Sequence, residues 1–151
     1  MQLCSIFLIS VTSGYTALMW SSRYGRLDVA HLLLESKADL EAKDNRYYPL
    51  RPPLYFGSIF LISVTSGWTA LMRSSLNGNL DVTHLLIESK ADLEAKDNEY
   101  YPLRPPLYFG SIFLISVTSG DTALMKSSYK GYLHVTRLLI ESKADVAARN
   151  K

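Results

Sequence analysis

The stretch GYTALMWSSRYGRLDVAHLLLESKAD at residues 14–39 decides the fold, because it occurs three times along the chain. It returns as GWTALMRSSLNGNLDVTHLLIESKAD at 67–92 and as GDTALMKSSYKGYLHVTRLLIESKAD at 120–145, so the period is 53 residues. A repeated unit of this size cannot bury its apolar face alone and must stack on its neighbours. The sequence therefore predicts an array of three stacked units.

Each copy is predicted to contain two short helices followed by an extended arm. Thr16 can cap a helix that carries Ala17, Leu18 and Met19, and Gly25 can end it. Leu and Val residues at helical spacing between Leu27 and Leu34 then give a second helix with an apolar face. The polar segment 40–45 that follows is predicted to be a loop.

A 20-residue insert separates the copies, from Tyr47 to Ser66 and, with identical letters, from Tyr100 to Ser119. Three prolines per insert exclude one continuous helix, and the apolar run SIFLISV favours a strand. We therefore expect a hairpin or loop that elongates each arm. Its origin has three explanations: a functional finger, a neutral insertion copied by tandem duplication, or a retained intron. The last is testable on paper, because codons for Arg46 and Ser66 can supply splice-site bases and the excision keeps the reading frame.

The letters at 14–18, 25–29 and 32–39 resemble the ankyrin repeat, a unit of about 33 residues. The resemblance implies a mainly α fold, a helix-pair solenoid with hairpin fingers projecting from one edge and elongated here by the inserts. It divides the chain into an N-terminal segment, three repeats and two inserts, with boundaries 1–13, 14–46, 47–66, 67–99, 100–119 and 120–151. It also implies binding of a protein partner without catalysis, and an intracellular location that agrees with the single cysteine.

Two departures from that family's pattern have physical consequences. The usual Thr-Pro-Leu-His is Thr-Ala-Leu-Met in all three copies, so the proline that favours a helix start is lost. Lys37, Lys90 and Lys143 stand where the family usually has glycine after the second helix. A left-handed residue at that point costs lysine about 1 kcal/mol more than glycine.

Differences between the copies indicate a candidate binding surface. Eight of 33 positions differ between Gly14–Arg46 and Gly67–Glu99, mostly on the first helix and at the base of the arm. The resemblance places these positions on the concave surface, and several carry the aromatic and basic residues that are enriched at protein interfaces. The alternative is that some of them simply cover the next repeat. The candidate partner-binding residues are Tyr15, Trp20, Arg23, Tyr24, Arg26, Trp68, Arg73, Asn77, Lys126, Tyr129, Lys130 and Tyr132.

Composition excludes several other classes of protein. With 48% apolar and 20% charged residues the chain is not wholly disordered, and its net charge of +2 gives no basis for nucleic-acid binding. The single Cys4 excludes an internal disulfide, and no sequence pattern predicts a metal, a cofactor or a catalytic residue. His31 and His84 are expected to be exposed helix residues. No apolar run is long enough for a transmembrane helix.

A second hypothesis gives the aromatic inserts the main role. They would mediate self-association or lie on a membrane surface, with the repeats as their scaffold. Comparing the concentration-dependent sedimentation of the full chain with that of a chain lacking 47–66 and 100–119 separates the two hypotheses.

Overall fold

The computed structural model of the chain describes residues 13–45, 66–99 and 119–151, and within them it contains six helices. They are α1 (Ala17–Arg23), α2 (Leu27–Glu35), α3 (Ala70–Leu76), α4 (Leu80–Glu88), α5 (Ala123–Lys130) and α6 (Leu133–Glu141). Each repeat contributes one pair. The predicted mainly α fold of stacked helix pairs is confirmed.

The first helix of each repeat begins at a threonine cap and ends at a glycine. Thr16 is extended, and its Oγ1 accepts the N–H of Met19 at 3.2 Å, which satisfies one of the unpaired donors of the first turn. Gly25 follows α1 with a φ of +65°, a conformation open to glycine, and the next N–H turns back to the carbonyl of Ser21 at 2.8 Å. The predicted start and end of this helix are therefore both present.

The second helix of each repeat ends on a lysine in the left-handed region. Lys37, Lys90 and Lys143 have φ values of 61°, 68° and 71°. In the first repeat the N–H of Ala38 reaches the carbonyl of Leu33 at 2.9 Å, which is the hydrogen bond of a Schellman motif. The left-handed conformation expected at these positions is present in all three repeats.

The core lies between the stacked helix pairs. Its most buried side chains come from both helices of every repeat, and they include Leu18, Met19, Leu71, Met72, Val82, Leu86, Val135 and Leu139. The first helices of consecutive repeats pack on each other more extensively than the second helices do. This difference places the first helices on the inner side of the stack, which we call the concave face.

Contacts between repeats recur with the sequence period. Lys43 Nζ donates to the carbonyl of Lys96 at 3.1 Å, and Lys96 Nζ donates to the carbonyl of Arg149 at the same distance. Likewise Glu41 accepts the N–H of Asp92, and Glu94 accepts that of Asp145, each at 2.8 Å. The second and third repeats are therefore held in the same way.

The two ends of each insert meet at the base of the arm. Asp44 N–H donates to the carbonyl of Trp68 at 3.2 Å, and Asp97 N–H donates to that of Asp121 at 3.1 Å. Gly67, just after the first insert, has a φ of +63°. The predicted hairpin or loop shape of the inserts concerns residues 46–65 and 100–118, which lie outside the described residues.

Candidate functional site

A buried ion pair joins the arm of the first repeat to the first helix of the second. Arg73 Nη2 contacts Asp44 Oδ2, with side-chain exposures of 4% and 0%. The other oxygen, Oδ1, accepts the hydroxyl of Ser66 and the N–H of Trp68, the latter at 2.9 Å. Both carboxylate oxygens thus have charged or polar partners, which offset the cost of burying Asp44.

The same arrangement recurs one period later with lysine in place of arginine. Lys126 Nζ lies 2.5 Å from Asp97 Oδ2, 2.9 Å from Glu99 Oε2 and 3.4 Å from Asp121 Oδ2. Asp97 Oδ1 accepts the hydroxyl of Ser119 at 2.5 Å. Burial lowers the pKa of Lys126, but hydrogen bonds and charge from Asp97 and Glu99 outweigh it and raise that pKa above its ordinary value.

The two buried cations enclose the ring of Trp68. The Arg73 guanidinium lies 3.9 Å from the ring centroid and Lys126 Nζ lies 4.1 Å from it, within the range of cation–π attraction. Arg73 also lies 5.0 Å from the ring of Tyr15. We call Tyr15, Arg73, Trp68 and Lys126 the aromatic–cation row. It links the three repeats along the base of the arms.

An aromatic cluster lies on the first repeat, with Trp20 and Tyr24 exposed and Tyr15 partly buried. The ring of Trp20 stacks on Tyr24 with centroids 5.7 Å apart and an interplanar angle of 2°, and it lies 4.7 Å from Tyr15. Trp20 is 45% exposed and Tyr24 is 55% exposed. Trp20 occupies the position that holds Arg73 and Lys126 in the next two repeats.

An open groove of about 660 Å³ lies beside the third repeat. We call it the third-repeat groove. Trp68 and Lys126 line it together with side chains of the second arm, of the segment before α5, of α5 itself and of the last arm, among them Glu99, Asp121, Tyr129, Lys130, Arg149 and Asn150. Glu99 and Asp121 are paired with Lys126, whereas Lys130 and Arg149 are exposed cations. The exposed charge at the rim is therefore positive, whereas Glu99 and Asp121 are mostly buried beside Lys126.

The expectation of a surface position is wrong for three of the twelve candidate residues. Trp68, Arg73 and Lys126 are each 4% exposed, because the acidic residues at the base of the preceding arm draw the two cations inward over the indole. These three side chains hold repeats together, as the alternative interpretation of the variable positions allowed.

Tyr132 and Asn77 also make contacts within the chain. The ring of Tyr132 covers Gly78, where an added Cβ would lie 2.8 Å from it. Asn77 Nδ2 donates to the carbonyl of Arg73 at 2.7 Å, although Asn77 remains exposed. Arg23 donates to the hydroxyl of Tyr15 at 3.4 Å, and both are partly buried.

The remaining candidates are on the surface. Tyr129 is 83% exposed, with Lys130 Nζ 5.4 Å from its ring, and Arg26 is exposed on the first repeat. Of the exposed candidates, Trp20, Tyr24 and Arg26 thus lie on the first repeat and Tyr129 and Lys130 lie beside the third-repeat groove, whereas Asn77 and Tyr132 make the contacts described above.

Residues that the sequence reasoning missed are the acidic partners Asp44, Asp97 and Glu99. The sequence contains a signal for the two aspartates. An aspartate lies near the end of each arm that is followed by a cation on the first helix of the next repeat, and Asn150 takes that position in the third repeat.

Within 13–45, 66–99 and 119–151, no three His, Cys, Asp or Glu residues are grouped to hold a metal ion. Each helix that the structure describes is too short or too polar to cross a membrane. His31 and His84 are exposed, as expected, and each lies within 3.4 Å of a glutamate one turn on.

Comparison with known proteins agrees with the repeat geometry. The family model for the ankyrin repeat matches residues 13–45, 66–98 and 119–151, which is more than half of the chain. The chain is similar to the mouse Ankyrin repeat and SAM domain-containing protein 6, with 31% identity over 85 residues, covering 56% of this chain and 8% of that protein. It is also similar to the human Ankyrin repeat and KH domain-containing protein 1, with 28% identity over 140 residues, covering 93% of this chain and 4% of that protein. The chain therefore spans less than a tenth of the length of either relative. With three matched repeats and the stacked helix pairs that they predict, the chain belongs to the ankyrin repeat family.

Proposed function

We propose that this chain is a non-catalytic module that binds a protein partner through the concave face. Ankyrin repeats generally mediate protein–protein interaction, and the family is typically non-catalytic. The observation that carries the proposal is the third-repeat groove, which combines exposed Tyr129 with exposed cations. Rigid stacking of the helices presents these side chains without a large loss of conformational entropy on binding.

The charge of the groove favours an acidic partner segment. Lys130 and Arg149 are exposed at its rim, whereas the two lining carboxylates, Glu99 and Asp121, are mostly buried and face Lys126. Trp68 also lines the groove, and its indole N–H is buried with no acceptor in the described part of the chain.

A display experiment tests the proposal. A library of protein-derived peptides is selected on the purified chain and on the variant Lys130→Glu/Arg149→Glu. We expect acidic peptides with an apolar residue on the unmodified chain and their loss on the variant. The matched control is Arg137→Glu, an exposed cation on α6, which should select the same peptides as the unmodified chain. Equal selection by all three proteins would contradict the proposal.

Three further predictions stay proposals. They are the intracellular location, the absence of nucleic-acid binding, and the division into repeats 14–46, 67–99 and 120–151 with inserts between them. The single cysteine and the near-neutral charge support the first two. Limited proteolysis tests the third, because cleavage should concentrate within 47–66 and 100–119.

The hypotheses about the inserts concern residues outside those described. Self-association or membrane-surface binding through the inserts therefore stays the alternative function. The retained-intron explanation is decided by the transcript sequence across codons 40–70.

A further inference from the structure

The turn between the two helices of the second repeat contains the pair Asn77-Gly78. The first and third repeats have tyrosine and lysine before the same glycine, so this pair occurs in the second repeat alone. Asn77 is exposed at the end of α3. Because glycine has no side chain, nothing on Gly78 shields its backbone nitrogen from the neighbouring amide group of Asn77. The pair is therefore open to spontaneous deamidation.

Deamidation of this pair needs water and no other reactant. Gly78 N attacks Asn77 Cγ, the new C–N bond closes a cyclic imide, and Nδ2 leaves as ammonia with the proton that the Gly78 amide loses. Water then opens the imide at either carbonyl. Cleavage between the nitrogen and Cγ gives aspartate. Cleavage at the main-chain carbonyl gives isoaspartate, whose backbone contains one more methylene group.

The folded turn holds Asn77 away from the geometry of ring closure. Closure requires Gly78 N to be eclipsed with Asn77 Cβ about the Cα–C bond, whereas the Asn77 ψ of 2° eclipses it with the Asn77 nitrogen. The side chain is also held, because Nδ2 donates to the carbonyl of Arg73 at 2.7 Å. The Gly78 nitrogen is held only weakly, at 3.4 Å from the carbonyl oxygen of Ser75. Deamidation therefore requires the main chain to rotate between Asn77 and Gly78.

The ring of Tyr132, which belongs to the third repeat, leaves no room for that rotation. An added Cβ on Gly78 would lie 2.8 Å from two carbons of this ring. Side chains packed this closely do not yield without moving the elements that carry them. Gly78 can therefore move only when the third repeat separates from the second at this point.

We propose that Asn77-Gly78 is a deamidation site covered by Tyr132, and that its conversion prevents the second and third repeats from packing together again. Isoaspartate adds a main-chain atom where Tyr132 leaves no space for one. Aspartate loses the hydrogen bond to Arg73 and places a negative charge at the C-terminal end of α3, which the helix dipole disfavours. Both products oppose repacking, so a transient separation becomes permanent. The proposal does not depend on partner binding at the third-repeat groove.

Asn79 provides an internal comparison within the same turn. Leu80 follows it, so a side chain stands beside the backbone nitrogen that would attack. Its Nδ2 donates to the carbonyls of Ser22 and Arg23 at 2.7 Å and 3.0 Å. We therefore expect Asn79 to remain unconverted while Asn77 reacts.

Peptide mapping of the full chain during storage at mildly alkaline pH tests the proposal. Trypsin releases residues 74–90, which contain both asparagines, and mass spectrometry locates the change from amide to acid. Labelling by an isoaspartyl methyltransferase identifies isoaspartate. We expect slow conversion at Asn77 in the folded chain and the fastest conversion in urea above the unfolding midpoint. Asn77→Gln should abolish the conversion, because its longer side chain does not form the same ring.

Variants of Tyr132 test whether its ring controls the rate. Tyr132→Ala should convert about tenfold faster than the unmodified chain, because the rate follows the population of the open turn. Tyr132→Phe keeps the ring and should convert at the unmodified rate. The matched control is Tyr129→Ala, which removes another tyrosine of the third repeat. Tyr129 is 83% exposed and is not among the atoms nearest Gly78, so this control should also convert at the unmodified rate.

Unfolding of the converted chain tests whether repacking is prevented. Ion exchange separates the aspartate and isoaspartate forms from the unmodified chain, and we expect both to have a lower urea midpoint. The proposal is overturned if the folded chain converts as fast as the unfolded chain, or if Tyr132→Ala converts no faster than Tyr129→Ala. Conversion that persists in Asn77→Gln, or an unchanged urea midpoint after conversion, would also overturn it.

Discussion

Neutralising Asp97 tests whether the buried ion pair holds the second and third repeats together. Asp97→Asn keeps an oxygen for the hydroxyl of Ser119 but removes the charge that lies 2.5 Å from Lys126. Breaking a buried pair from one side costs about 3–5 kcal/mol. Lys126 retains Glu99 at 2.9 Å, so we expect a smaller loss of about 2 kcal/mol in the free energy of unfolding.

Lys126→Met should cost more than Asp97→Asn. It leaves Asp97, which is fully buried, without a cation, and the expected loss is about 3–4 kcal/mol. In the double variant both charges are gone, so the total loss should be smaller than the sum of the single losses by about 1–2 kcal/mol.

Urea unfolding followed by tryptophan fluorescence measures these losses. The Trp20→Phe background leaves Trp68 as the only tryptophan, and its ring centroid lies 4.1 Å from Lys126 Nζ. Lys130→Met is the control, because Lys130 is an exposed lysine on the same helix and its loss should change stability by less than about 0.5 kcal/mol. Single losses that add within about 0.5 kcal/mol would refute the ion-pair reasoning.

Three other predictions concern backbone, pH and the inserts. Gly78→Ala should lower the thermal midpoint more than Gly131→Ala, because both have φ above +70° but only Gly78 lies under Tyr132; equal effects would contradict the contact. The raised pKa of Lys126 means that its stabilisation is complete below its ordinary value of 10.5 and is lost as pH rises through the folded-state value. The urea midpoint should therefore fall more in that range for the unmodified chain than for Lys126→Arg. Finally, a chain lacking 47–66 and 100–119 should keep its helical circular dichroism per molecule, since a backbone hydrogen bond of 3.2 Å from Asp44 to Trp68 already joins the two sides of the first insert; a loss of helix would show that the inserts are structural.

Local structure was predictable because its determinants lie within a few residues of each other. The threonine cap at Thr16, the glycine end at Gly25 and the left-handed Lys37 all follow from neighbouring letters, and all are present. The 53-residue period then predicted the stacking, since each unit exposes an apolar face that only its neighbour can cover.

The burial of the aromatic–cation row was not predicted. Arg73 and Asp44 are 29 residues apart with an insert between them, so no local pattern connects them. The family resemblance implies a surface position for Arg73 and Lys126, whereas their contacts with Asp44 and Asp97 hold them in the interior. Trp20 stands in the first repeat at the position that holds these cations in the second and third repeats, and its side chain remains exposed.

The sequence separation between hydrogen-bonded residues of neighbouring repeats has a consequence for folding kinetics. Lys43 and Lys96 each donate to a residue 53 positions further along the chain, and in a chain without inserts this separation would be about 33 residues. Closing the longer loop costs only about 0.4 kcal/mol more per junction, because closure entropy grows with the logarithm of length. This is less than the net value of one hydrogen bond. The stack can therefore still assemble from neighbour to neighbour, and the extra residues should slow each docking step by no more than about twofold.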